Sequence, residues 1–168
     1  MQQINIGILG AARIAPFALI KQARLLDGVD VVAVAEEYQD QAALDKYAAK
    51  HKIPKTYRDF NKLLADGTID AVYLPLPISM HAEWALKAIA AGKHVLCEKP
   101  MSANADQALQ VHEAALASGL IVCEAMHHRY HPMVQRIKEI ISSGELGELT
   151  QIKSNFSCYL PFNDFRFN

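Results

Sequence analysis

The sequence predicts an α/β protein built on a doubly wound parallel sheet. Three observations carry that reading: short apolar runs without polar alternation recur along the chain, segments of helical apolar period lie between them, and glycines stand where those segments would end. Continuous β-branched runs fit strands covered on both faces. Regular alternation of strand with helix fits right-handed crossovers between parallel strands.

The first run, Ile4-Asn5-Ile6-Gly7-Ile8-Leu9, opens the sheet, and Gly28 closes the helical segment that follows it. Val31-Val32-Ala33-Val34-Ala35 is the second run. A short helix is expected around Phe60–Ala65, ended by Gly67, before the third run, Ala71-Val72-Tyr73-Leu74. Ala82, Ala85, Leu86 and Ile89 fall at i, i+3, i+4 and i+7, one stripe of a helix, and Gly92 takes the left-handed position beyond its end. His94-Val95-Leu96-Cys97 is the fourth run. Asn104 is an N-cap with Asp106 in the first turn, and Gly119 ends the helix it starts. After the fifth run, Leu120-Ile121-Val122-Cys123, the stripe Met133, Ile137, Ile140 and Ile141 marks a last helix closed by Gly144.

From Leu149 to Leu160 the pattern changes. Ile152, Phe156, Cys158 and Leu160 alternate with Gln151, Lys153, Asn155 and Ser157, the signature of a half-buried strand in an antiparallel sheet. Phe156, Phe162, Phe165 and Phe167 crowd the same end. We expect a second domain to begin here and to be cut off, with residues 126–168 its connecting helix and first strand. A terminal strand packed on a partner subunit is the alternative.

Composition narrows the function. With 51% hydrophobic and 21% charged residues, the chain is an ordinary globular sequence. The formal net charge is −1 and the cations are scattered, so neither nucleic acid nor an anionic membrane is an expected partner. The apolar stretches are strand-sized, short of a membrane span, and the N-terminus has no secretory pattern. Cys97, Cys123 and Cys158 are odd in number, lack metal spacing and sit in apolar runs, as free thiols of a cytoplasmic protein would.

The first run leads into Gly10-Ala11-Ala12-Arg13-Ile14-Ala15 and then a helix. Set on the pattern G-x-G-x-x-G/A, Gly10 makes the tight turn, Ala12 stands second and Ala15 third, and a dinucleotide pyrophosphate would rest on the helix N-terminus. Ala12 departs from glycine by one methyl, where the backbone must approach the phosphates. A small-residue packing turn is the alternative. Glu36 decides between them: it lies 21 residues past Ala15, at the end of the second run, where an acid takes the adenine-ribose hydroxyls. Glu36 and Glu37 would repel the extra phosphate of NADP, so NAD is the expected cofactor and NADP the alternative. Residues 1–125 are thus expected to form a Rossmann NAD(P)-binding domain.

Cys97-Glu98-Lys99-Pro100 follows the fourth run, at the sheet edge where open α/β folds take ligands. A lysine partly desolvated there can exchange a proton near neutral pH. Taken alone, it is equally a surface charge.

Together with Pro75-Leu76-Pro77-Ile78-Ser79-Met80-His81 and Ala91-Gly92-Lys93-His94-Val95-Leu96-Cys97-Glu98-Lys99-Pro100, the Gly10–Ala15 loop resembles the Gfo/Idh/MocA oxidoreductases. Glu124-Ala125-Met126, Arg129-Tyr130-His131-Pro132 and Gly144-Glu145-Leu146-Gly147 extend the resemblance, which is strongest to the dihydrodiol and sugar dehydrogenase branch. The resemblance implies a Rossmann domain followed by an α/β domain whose open antiparallel sheet holds substrate and forms a homo-oligomer. It implies reversible hydride transfer between nicotinamide and a sugar, polyol or dihydrodiol. Carried over, Gly10, Ala11, Ala12, Arg13 and Ile14 would hold the pyrophosphate, Glu36 the adenine ribose, and Pro75, Leu76, Pro77 and His81 would line the nicotinamide side. Glu98 and Lys99 would meet the nicotinamide ribose, Lys99 would be the catalytic proton carrier, and His128 and Arg129 would border the substrate. Ile78 stands where the family often has Asn. A non-catalytic dinucleotide-binding module or truncated remnant is the rival reading.

His127, His128 and His131, near Glu124, raise a metal site, since His128 and His131, three apart, would share one face if the segment were helical. The sequence shows neither a third ligand nor an ordered second layer, so no metal is expected. His112 reads as a surface residue, and Trp84 as helix packing.

Overall fold

The computed structural model describes residues 3–157 and 159. The chain parts into two units between Met126 and His127. In the first unit β1 (Ile4–Leu9), β2 (Val29–Ala35), β3 (Lys55–Tyr57), β4 (Ala71–Leu74), β5 (His94–Cys97) and β6 (Val122–Glu124) form one sheet in the order β3-β2-β1-β4-β5-β6. Every pairing is parallel. This is the doubly wound sheet that the unbroken apolar runs predicted. β3 is an addition: Lys-Thr-Tyr is a short edge strand with no apolar run to announce it. In the β1–β2 pairing the register shifts between Ile6 and Gly7.

Between the strands stand α1 (Lys21–Ala23), α2 (Gln41–Lys50), α3 (Phe60–Leu64), α4 (Ile78–Ala90) and α5 (Ala105–Ser118). A wide π-type turn, Pro16–Ile20, runs directly into α1. Pro16 has no N–H to lose and suits the first helical position. Asp40, Asp59 and Asn104 cap α2, α3 and α5 by accepting the amides of Ala43, Asn61 and Gln107. Gly119 ends α5 at φ +68°, in the left-handed region that glycine enters without strain.

The core lies on both faces of the sheet. One layer joins Leu9, Phe60, Leu63, Val72, Trp84, Ala85 and Val111, and the other joins Ile8, Leu19, Ile20, Leu44, Ile53 and Tyr73. Consecutive residues Ile8 and Leu9 thus enter opposite layers, the strand period at work. Trp84 packs edge-on against Phe60 at 4.9 Å, a packing role as expected.

The second unit contains a 3₁₀ turn, His127–Tyr130, and α6 (Pro132–Ser142). The strand expected from residue 149 does not form at residues 149–157. An alternating strand needs a partner edge for its amides, and no ladder reaches this segment among the described residues. Residue 158 and residues 160–168, which hold the rest of that strand and three of the phenylalanines, lie outside the described residues.

Candidate dinucleotide and active site

The strand order reverses between β1 and β4, so the chain leaves these neighbours toward opposite sides and opens a crevice at their C-terminal ends. Four connections reach it: the Gly10–Ala15 turn after β1, Glu36 after β2, Pro75–Pro77 after β4 and Glu98–Pro100 after β5.

Gly10 has φ +101°, and a Cβ built there would stand 3.1 Å from Leu76 Cδ2. The turn is tight and closely covered, as a phosphate loop requires. Ala12 N–H donates to Gly10 O, and Ala12 O accepts the Tyr47 hydroxyl at 3.2 Å. Burial pushes that hydroxyl up to about 12, so it remains a donor. Among the described residues the Arg13 and Ile14 amides have no intramolecular acceptor. Two such N–H groups at a helix start are suited to an anion.

Glu36 is only 6% exposed. Its Oε2 accepts Ala11 N–H at 3.0 Å and the Gln39 amide at 3.3 Å, and its Oε1 accepts Tyr38 N–H at 2.9 Å. The carboxylate braces the loop after β1 against the loop after β2, a role its position alone did not show. A carboxylate offers about four acceptor positions, so one remains for a ribose hydroxyl. Glu36 faces a cavity of about 430 Å³ shared with Gly10, Ala11, Ala12, Tyr38, Phe60, Pro75, Leu76, Pro77 and Met80. That volume falls within the range of small-molecule sites. Tyr38 and Phe60 escaped sequence reading, whereas Met80 lies in the Pro75–His81 motif. Tyr38 was within reach, two places past Glu36, whereas Phe60 arrives from α3 with no local motif.

Glu98 is anchored from below. The buried Tyr73 hydroxyl donates to Glu98 Oε1 at 2.6 Å, and Lys99 N–H donates to Oε2 at 3.3 Å. Burial, and then the Glu98 carboxylate, raise the Tyr73 hydroxyl well above its ordinary value, which keeps it a donor. Lys99 is exposed, and its ammonium has no ion-pair partner among the described residues. The Lys99–Pro100 peptide is cis, and Met101 N–H donates to Glu124 Oε1 at 3.0 Å.

His81 differs from its expected role. Only 1% exposed, it sets Nδ1 2.7 Å from Pro100 O and Nε2 2.7 Å from Leu76 O. Both nitrogens face backbone, so the ring lies under the loops rather than lining a ligand. Ile78, 46% exposed, begins α4 behind Pro77, which supplies no side-chain cap.

His128 and Arg129 are exposed in the 3₁₀ turn of the second unit. His131 is the N-cap of α6, its Nδ1 accepting Met133 N–H at 3.1 Å. His128 and His131 therefore do not share a helix face, because the helix starts only at Pro132. Among the described residues no three His, Cys, Asp or Glu side chains converge for a metal ion, and no helix is long and apolar enough to cross a membrane.

The reversed parallel sheet, the left-handed glycine turn with open amides and the acid after β2 define a dinucleotide-binding Rossmann domain of the NAD(P) class. Comparison with known proteins carries this further. Residues 4–126 match the Gfo/Idh/MocA family, described as an oxidoreductase family with an NAD-binding Rossmann fold, and the chain belongs to that family. It is 39% identical over 155 residues to D-xylose 1-dehydrogenase (NADP(+)) 2 of Haloferax volcanii, covering 92% of this chain and 46% of that one. It is 33% identical to trans-1,2-dihydrobenzene-1,2-diol dehydrogenase of Sus scrofa, covering 79% of this chain and 40% of the relative. Among solved structures, a 3-ketoreductase from Actinomadura kijaniata in complex with NADP and TDP-benzene superposes with a TM-score of 0.77 at 29% identity, over 85% of this chain and 43% of that one. An NAD binding oxidoreductase from Klebsiella pneumoniae superposes with a TM-score of 0.79 at 34% identity, over 87% and 40%. The chain therefore spans less than half the length of these relatives.

Proposed function

We propose that the protein is the dinucleotide-binding half of an NAD(P)-dependent dehydrogenase acting on a CH–OH group of a sugar, polyol or dihydrodiol. The observation that carries this reading is the meeting of the Gly10 turn, the open Arg13 and Ile14 amides and the buried Glu36 around one cavity. The relatives named for D-xylose and a dihydrobenzenediol support the substrate class.

The residues fit the cofactor. Gly10 through Ile14 hold the pyrophosphate, Glu36 offers its remaining acceptor position to the adenine ribose, and Pro75 through Pro77 wall the crevice. Glu98, steadied by Tyr73, reaches the nicotinamide ribose. When bound, the nicotinamide supplies the hydride exchange with the carbinol carbon. Lys99 holds or releases the proton at the substrate oxygen. Residues 1–125 form the cofactor domain. Residues 126–168 begin a substrate domain in which His128 and Arg129 border the pocket and a sheet joins copies of the chain. The protein works in the cytoplasm and takes no nucleic acid.

We assign NAD rather than NADP, because the Glu36 carboxylate is fixed where a ribose phosphate would approach. The NADP named for relatives is the competing outcome. Amide NMR spectra during an NADH titration test the reading. Shifts should concentrate at Ala11–Ile14, Tyr38–Gln39 and Glu98–Lys99. Spectra unchanged at saturating NADH would overturn it.

A further inference from the structure

We propose that His81 is a buried imidazolium, protonated on both ring nitrogens, and that it locks the Pro75–Pro77 loop to the Lys99 turn. Leu76 O and Pro100 O are acceptors only, and each lies 2.7 Å from one nitrogen of the same ring. A neutral imidazole has one N–H and one lone pair, so either tautomer would press a lone pair against a carbonyl oxygen. Turning the ring over would place carbon at both positions and leave two buried carbonyls without a donor. Two N–H donors satisfy both contacts.

The turn that His81 holds is fixed from other sides as well. The carbonyl of Pro100 sits between two amides held by carboxylates: Lys99 N–H on Glu98 and Met101 N–H on Glu124. Lys99 N–H, Pro100 O and Met101 N–H are thereby held from three places: Glu98 just after β5, His81 of α4 and Glu124 of β6. Against the charged form stand the desolvation of a ring only 1% exposed and its place in the first turns of α4, where the helix dipole disfavours positive charge. Two short charge-assisted hydrogen bonds offset both, and no neutral tautomer satisfies the two carbonyls. His81 is then a positioning residue. It touches neither reacting atom, but it joins the wall of the cofactor crevice to the turn that carries Lys99. The functional consequence rests on the reading proposed above, whereas the protonation state does not.

Two measurements on the 168-residue chain test this. Long-range ¹H–¹⁵N correlation spectra of the histidine side chains near neutral pH should show His81 with both nitrogens protonated and both N–H protons slow to exchange. One nitrogen with the unprotonated shift overturns the imidazolium. In His81→Gln, which can donate to only one carbonyl, NADH affinity should fall about tenfold, the loss expected for one charge-assisted hydrogen bond. Unchanged affinity overturns the positioning role. Should that variant not fold, the wild-type spectra still decide the charge state, and wild-type chain that binds no NADH at all refutes the cofactor reading instead.

Discussion

Replacing Glu36 by Gln tests the brace and the cofactor site together. The amide keeps the shape of the side chain but has one oxygen where the carboxylate has two. Tyr38 N–H approaches one position at 2.9 Å and Ala11 N–H the other at 3.0 Å. Whichever way the amide is turned, its NH₂ faces a backbone N–H. The Gln39 contact at 3.3 Å can be restored by flipping that side chain, so it adds little. Losing one hydrogen bond to a charged acceptor costs about 1.5–3 kcal/mol, and the orphaned, half-buried amide brings the total toward the upper end, about 3 kcal/mol. For a chain of this size each kcal/mol lowers Tm by roughly 2–4 °C, so unfolding followed by circular dichroism should shift down by about 6–12 °C. NADH affinity should fall more than tenfold while NADPH loses less, because the repelling charge is gone. A Tm within about 2 °C of wild type together with unaltered NADH affinity would mean that Glu36 neither braces the loops nor meets the cofactor.

Four further tests lie in other parts of the first unit. Gly7→Ala places a Cβ 2.7 Å from Leu63 Cδ2 and 3.2 Å from Ile69 Cδ1, both in the core, and should cost about 1–3 kcal/mol in urea unfolding. Asp66 accepts the Lys55 ammonium at 2.7 Å, then the Thr68 and Tyr57 donors, which hold its carboxyl far below its ordinary value. Its stabilising contribution is therefore complete above the unfolded value of about 3.9 and is lost as pH falls from there toward the folded value. Urea midpoints measured down the pH scale should fall less steeply in Asp66→Asn than in wild type. Burial pushes the Cys97 thiol up to about 12, with Glu124 and Glu98 adding to it, so brief iodoacetamide treatment of native chain should alkylate Cys123 and spare Cys97 in peptide maps. Lys99→Met should leave NADH affinity within about threefold of wild type, since an exposed ammonium contributes little to binding; a loss beyond tenfold would assign Lys99 to cofactor binding instead of proton transfer.

The parts legible in the sequence are those written in local chemistry. Unbroken apolar runs announced β1, β2, β4, β5 and β6, because a strand covered on both faces has no polar side to interrupt it. Asn104 announced its cap, and Gly10 its left-handed turn. β3 stayed hidden because three half-buried edge residues need no apolar pattern. Lys93, in a stretch quoted only for its family likeness, is 7% exposed, with its ammonium on the carbonyls of Asp66 and Ile69. Nothing local predicts that, since both carbonyls come from the end of another helix and the turn after it. The same holds for Tyr73 under Glu98 and for Glu36 beneath Ala11: each joins residues brought close only by the parallel sheet. His81 was expected to line the nicotinamide side, but its ring is turned under the loops by two backbone carbonyls, Leu76 O and Pro100 O, that no local pattern reveals.

The most direct test of the account is a fluorescence titration of the chain with NADH and, in parallel, with NADPH. Both nucleotides should bind saturably to one site, with NADH held more tightly because of the fixed Glu36 carboxylate. Tighter binding of NADPH would contradict the use made of Glu36, and no saturable binding of either nucleotide would contradict the dinucleotide site itself.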